Sequence, residues 1–234
     1  MITTVLFDLD ATLLPMDNDE FIKVYFGLLA KKLIPYGYEQ DSLVKAVWTG
    51  TEGMVRNDGT CTNEEAFWNT FKNTLGEKCL QDKPIFDQFY CNEFNEAKVV
   101  CHDNPLTRKA VETIKRKGLR VVLATNPLFP AIATESRIKW AGFEPEEFEH
   151  YTTYENSHYC KPNPKYYLEV LDHIGCRPEE CLMVGNDVIE DMEAGVAAGL
   201  DVFLITDHII NRKNADISSY KHGSFEDFIS YMES

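Results

Sequence analysis

No apolar run in this chain approaches the roughly 20 residues that a membrane-spanning helix needs, so membrane partners are not expected. The N-terminus reads Met-Ile-Thr-Thr-Val, and Asp8 and Asp10 fall inside its apolar stretch, which no signal peptide tolerates. There is no CxxC pair, so zinc-ribbon and thioredoxin-like readings have no support. The seven cysteines, Cys61, Cys79, Cys91, Cys101, Cys160, Cys176 and Cys181, are odd in number and irregularly spaced. That pattern suits free thiols in a reducing cytoplasm. Positive charge is also scarce. The formal net charge is -15, and the longest basic cluster, Lys115, Arg116 and Lys117 followed by Arg120, lies at the end of a helical pattern, where cations favour the dipole. A nucleic-acid backbone would be repelled by such a field. No internal repeat or low-complexity stretch is visible.

What remains is an ordinary globular composition over 234 residues, 44% hydrophobic and 26% charged. That length suits one large domain carrying an insertion. Residues 3–9 (TTVLFDL) form a short apolar run ending in acids, as a strand buried on both faces does. From residue 103 the chain alternates. Helices are expected over LTRKAVETIKRKG with Gly118 as C-cap, FPAIATESRIKWAG, NPKYYLEVLDHIG, DMEAGVAAG and FEDFISYM. Strands are expected over LRVVLAT, residues 151–154, CLMVGND and DVFLIT. Such alternation predicts an α/β fold, a Rossmann-like parallel sheet flanked by helices.

The stretch between differs in character. DNDEFIKVYFGLLAKKL, DSLVKAVWTGT, TNEEAFWNTFKNTL and KPIFDQFYCNEFNEA all read as helices, with apolar residues at three- and four-residue steps such as Phe21, Val24 and Leu28. Thr62 with Glu65 forms a capping-box start. Residues 16–103 are therefore expected to be an inserted all-helical domain, and residues 1–15 with 104–234 the α/β core. The dense aromatics, Trp48, Phe67 and Trp68 among them, read as the core of that insertion rather than as a substrate platform.

Open parallel sheets bind ligands beyond the carboxyl ends of their strands. Three expected strand ends carry polar side chains: Asp8 and Asp10, then Thr125 and Asn126, then Asn186 and Asp187. The period of two would set both Asp8 and Asp10 on one side. Two close carboxylates repel, and a hard cation such as Mg²⁺ relieves them.

These residues carry a resemblance. FDLDATLL resembles the nucleophile motif of the haloacid dehalogenase superfamily, LATNP its second motif, Lys161 in CKPNPKYY its third, and MVGNDVIEDMEAGVAAG its fourth. The four occur in the expected order and span the α/β part, and the helical insertion is similar to that superfamily's first cap type. The resemblance implies a Mg²⁺-dependent phosphate monoester hydrolase acting on a small phosphorylated metabolite, as a monomer or small homo-oligomer. It implies that Asp8 attacks phosphorus, that Asp10 serves the leaving oxygen and then the incoming water, and that Thr125, the Asn126 backbone N–H and Lys161 hold the phosphoryl group. It places Mg²⁺ on Asp8, Asp10 and the Asn186–Asp187 pair, with Asp191 orienting the site from behind. A phosphomutase, a dehalogenase or a non-catalytic binding module on the same fold are the alternatives.

Two departures stand out. Ala11 replaces the family's usual glycine and is strained if the turn needs positive φ. Asn186 stands where the fourth motif usually has an acid, so an amide oxygen would take the ligand position. Within the insertion, Asp17, Asp19, Arg56 and Lys98 are candidate substrate contacts.

Overall fold

The β1 strand, Thr4–Phe7, is buried at every residue and pairs in parallel on both sides. The computed structural model describes residues 1–234. After β1 the chain leaves the sheet and runs through α1 (Asn18–Leu33), α2 (Gln40–Val55), α3 (Asn63–Leu75), α4 (Lys78–Gln81) and α5 (Lys83–Cys91). It returns through α6 (Pro105–Arg116), β2 (Arg120–Leu123), α7 (Ala131–Trp140), α8 (Pro164–Ile174) and β3 (Cys181–Gly185). The tail carries α9 (Ala194–Ala197), β4 (Asp201–Ile205), β5 (Lys221–Gly223) and α10 (Phe225–Glu233). All five strands are parallel in the order β2-β1-β3-β4-β5.

Side-chain alternation along β1 divides the core. Val5 and Phe7 pack with Ala110, Val111 and Ile114 of α6 and Phe225 and Phe228 of α10. Leu6 points the other way, into Tyr166, Tyr167, Val170 and Leu171 of α8. Each such apolar side chain, fully buried, stabilises by about 1.5–3 kcal/mol. The first cluster continues without a break through Leu13 and Met16 into Phe21, Leu43, Phe71 and Phe89 of the helical block. That block meets the α/β part at two places: Asn63 N–H and Glu64 N–H donate to Ser157 O and Tyr154 O, both at 2.8 Å, and the chain enters and leaves the block side by side. Met16 bridges Cys101 in antiparallel sense, and His102 N–H donates to Pro15 O at 2.8 Å.

Helix ends follow the capping signals. Thr62 and Glu65 form the reciprocal capping box of α3, and Gly118 (φ 72°) closes the turn after α6. Three local expectations differ. The segment 151–154 makes only a single parallel bridge, Tyr151 to Leu123. The Thr152 hydroxyl donates to Thr125 O (2.6 Å) and Asn156 Oδ1 accepts from Thr153 N–H (2.8 Å), and this turn ends the pairing. The helix expected over 83–97 breaks at Asn92 (φ −120°, ψ −83°) and continues as a 3₁₀ segment, Glu93–Val100. The β5 strand lacks the apolar pattern of the others and had not been expected. No helix is long and apolar enough to cross a membrane.

Candidate active site

Parallel register aligns Phe7 with Leu123 on one side and Val184 on the other, so β1, β2 and β3 end on the same edge. The residues just past those ends are Asp8, Thr125 with Asn126, and Asn186 with Asp187. All five line one cavity of about 250 Å³, as do Asp10 and Asp191. Lys161 reaches the same place from the loop before α8 and binds Asp8 and Asp191. Every residue expected to hold the phosphoryl group or the metal is therefore in one neighbourhood.

Asp8 extends the ladder by one hydrogen bond, its N–H donating to Val184 O at 2.9 Å. Its Oδ1 accepts from Lys161 Nζ at 2.9 Å, and the Thr12 hydroxyl lies 3.3 Å from its Oδ2. Burial pushes the Asp8 carboxyl up to about 7; Lys161 opposes this, while Asp191 and Asp10 add to it. Lys161, 1% exposed, also donates to Asp191 Oδ1 at 2.6 Å. Burial pushes the Lys161 ammonium down, but Asp191 and Asp8 outweigh it and hold it well above its ordinary value. Asp191 is fixed in turn, since its Oδ2 accepts from Asp187 N–H at 3.0 Å. Gly185 is required here, because a Cβ would collide with the Asp191 carboxylate.

The turn after Asp8 does need positive φ. Ala11 sits at φ 60°, with its N–H on Leu14 O at 2.8 Å. The left-handed region costs a non-glycine residue about 1–2 kcal/mol. Leu9 is buried, while Asp8 and Asp10 share the cavity side.

Thr125 turns its carbonyl into the core, where it accepts from Thr152 Oγ1 and Tyr166 OH. Its hydroxyl and the Asn126 N–H make no hydrogen bond within the protein. The Asn126 side chain instead brackets the backbone of Lys161 and donates to Glu190 Oε2 at 3.0 Å. Asn186 has its amide oriented by a 2.7 Å donation to His208 O, which leaves Oδ1 3.0 Å from the Thr12 hydroxyl. Asp187 Oδ1 caps the following turn, accepting from Ile189 and Glu190 N–H.

No three His, Cys, Asp or Glu side chains gather as a chelating cluster. The oxygen donors that do converge are Asp8 Oδ2 and Asn186 Oδ1, both on the Thr12 hydroxyl. Asp10 Oδ1, buried and without a hydrogen-bond partner, lines the same cavity. This donor set fits Mg²⁺, which takes one or two carboxylates and leaves other positions to water and phosphate.

Two residues escaped the sequence reading. Arg137 of α7, 1% exposed, pairs with Asp10 Oδ2 through Nη1 and lies 4.4 Å over the Phe129 ring. Burial pushes the Asp10 carboxyl up and Arg137 draws it back. Spacing held a clue: Arg137 follows the buried Ala133 and Thr134 by four and three residues, and arginine is rarely buried unless paired. Glu190, pushed up to about 7 by burial, is the second.

The insertion's candidates are corrected. Only Asp19 lines the cavity; Asp17 caps α1, Arg56 pairs with Glu52 at the surface, and Lys98 is exposed away from it. Trp68 belongs to the core and Phe67 packs against it, as expected, but both, with the half-exposed Trp48, also stand on the cavity wall.

The model of the haloacid dehalogenase-like hydrolase family matches residues 2–199. A glyceraldehyde 3-phosphate phosphatase of Methanothermobacter thermautotrophicus is 24% identical over 213 residues, covering 89% of this chain and 88% of the relative. The pyrophosphatase PpaX of Bacillus velezensis is 23% identical over 203 residues, 85% of this chain and 80% of the relative. The crystal structure of a HAD phosphatase from Thermococcus onnurineus superposes with TM-score 0.64 at 18% identity, covering 99% and 98% of the two chains. With four motifs meeting at one sheet edge and the family model spanning most of the sequence, the chain belongs to the haloacid dehalogenase-like hydrolase family.

Proposed function

We propose that this protein is a Mg²⁺-dependent phosphate monoester hydrolase of the cytoplasm that works through a phosphorylated Asp8. The observation that carries the reading is the Lys161 bridge. One buried ammonium spans Asp8 and Asp191 and leaves the Asp8 carboxylate beside an open cavity, with Asp10 next to it. The phosphatase names of the relatives support it, and the unpaired state of all seven cysteines suits that compartment.

Asp8 attacks phosphorus and takes up the phosphoryl group. Asp10 gives its proton to the departing oxygen, then accepts one from the water that attacks the phosphorylated Asp8. Lys161 fixes the Asp8 rotamer and faces its charge toward the phosphoryl oxygens. The Thr125 hydroxyl and Asn126 N–H, both free of protein partners, receive one of those oxygens. Asp8, Asn186 and, directly or through water, Asp10 and Asp187 would hold Mg²⁺, which would supply positive charge to offset the repulsion of carboxylate and phosphate. Residues 16–103, entered and left where Met16 meets Cys101, act as a cap over the strand ends and select the leaving group.

The test is release of inorganic phosphate from a panel of monoesters with Mg²⁺. Wild type is expected to turn over at least one ester, to stop on chelation and to recover with added Mg²⁺. Asp8→Asn is expected to be inactive. A wild type inert across the panel, or an active Asp8→Asn, would contradict the reading.

A further inference from the structure

The cavity in front of Asp8 has two kinds of wall. The floor, at the strand ends, is polar. The outer wall is aromatic: Tyr25, Phe26, Trp48, Phe67 and Trp68 come from the helical block, and Phe129 from the loop after β2. Trp48 leans on Phe26 with centroids 5.6 Å apart, yet remains 50% exposed. A large ring left half in water at a cavity rim is surface that a ligand can cover. Trp68 lines the same wall, and its buried Nε1–H, which faces the Tyr154 hydroxyl, makes no hydrogen bond of good geometry. Burying an unpaired donor is costly, and an acceptor on a bound ligand would recover that cost.

Charge on the outer wall has one sign. Asp19 and Asp87 line it, and no lysine or arginine does. The only cation on the cavity surface, Arg212, stands beside Asp187 on the floor. A second phosphate or a carboxylate on the leaving group would meet carboxylates with no compensating cation.

We infer that the alcohol released is a planar, uncharged ring system carrying a hydrogen-bond acceptor, an aryl alcohol or a nucleoside, and that esters bearing a second anion are rejected. This rests on the phosphatase reading above: Asp8 bonds to phosphorus as the phosphorus–oxygen bond to that alcohol breaks, the alcohol oxygen takes the proton of Asp10, and water then displaces Asp8 from phosphorus and returns a proton to Asp10.

The experiment compares kcat/KM for uridine 5′-monophosphate, 2-phenylethyl phosphate, n-propyl phosphate, phosphoglycolate and pyrophosphate. The first four are alkyl esters with leaving oxygens of similar basicity, so the ring is the main variable. At least one ring-bearing ester is expected to exceed propyl phosphate, phosphoglycolate and pyrophosphate by about tenfold or more, the scale of one aromatic stacking contact. Which of the two leads decides between nucleoside and aryl alcohol. Trp48→Ala, at a half-exposed site, is expected to lower the ring-to-propyl ratio of both ring esters, and Trp68→Phe that of uridine 5′-monophosphate, whose base alone carries an acceptor. Equal use of propyl phosphate, phosphoglycolate or pyrophosphate, or a ratio unmoved in both variants, would overturn the inference and leave the phosphatase reading standing. Release from no ester would sink the phosphatase reading instead. The ring site is then decided by calorimetry on Asp8→Asn, where tighter binding of 2-phenylethyl phosphate than of phosphoglycolate sustains it and the reverse order ends it.

Discussion

Arg137 Nη1 donates to Asp10 Oδ2 from inside the protein, with the arginine side chain 1% exposed and the aspartate on the cavity. Arg137 is itself held by Ala133 O, Thr134 Oγ1 and the face of Phe129. It touches Asp10 and not the cavity, so it acts on the reaction by positioning that carboxyl. Removing one partner of a buried pair costs about 3–5 kcal/mol. Arg137→Met is expected to lose stability on that scale and to lose kcat by about 10²-fold, the lower range for acid–base groups, with KM little changed. Arg137→Lys keeps the charge without the planar fork and should fall between. Urea unfolding and steady-state kinetics read both. A KM effect larger than the kcat effect would contradict the positioning role.

Ala11 stores strain that glycine would release. Ala11→Gly is expected to stabilise the protein by about 1 kcal/mol, the left-handed penalty less the added chain entropy of glycine. A urea midpoint that rises with unchanged slope checks it. A midpoint that falls would mean that the turn tolerates the alanine without strain.

Asn186 offers an amide oxygen where an acid would add charge. Asn186→Asp is expected to lower the Mg²⁺ concentration for half-maximal activity by about tenfold, the range seen when groups around a metal are altered. Titrating Mg²⁺ into chelated enzyme reads this directly. An unchanged midpoint would place Asn186 outside the metal's reach.

His150 packs on His173 with ring centroids 4.1 Å apart. Burial first, and His173 second, push His150 down from 6.5 to about 4. The folded state therefore keeps it neutral while the unfolded chain takes up a proton below about 6.5. Stability from this site is complete above that value, declines as pH falls toward 4, and loses nothing further below it. Unfolding midpoints at pH 7 and pH 5 should differ less in His150→Phe than in wild type. Equal differences would show that His150 does not titrate in this way.

Much of the site was legible because it depends on local order. A parallel sheet collects its strand ends on one edge, so Asp8, Thr125, Asn126, Asn186 and Asp187 converge once β1, β2 and β3 are recognised. What stayed hidden depends on distant partners. Nothing near Arg137 in the chain announces Asp10, 127 residues away. Periodicity also sets Phe67 and Trp68 on an inward face, but it does not show that the core they join opens onto a cavity. The β5 strand, Lys-His-Gly at the sheet edge, has no apolar pattern to find.

The central claim concerns Asp8 itself. Enzyme quenched in acid during turnover with Mg²⁺ and mapped by peptide mass spectrometry is expected to carry phosphate on the peptide containing Asp8, and Asp8→Asn to carry none. Phosphate found on another residue, or on no residue of an enzyme that is turning over, would contradict the account.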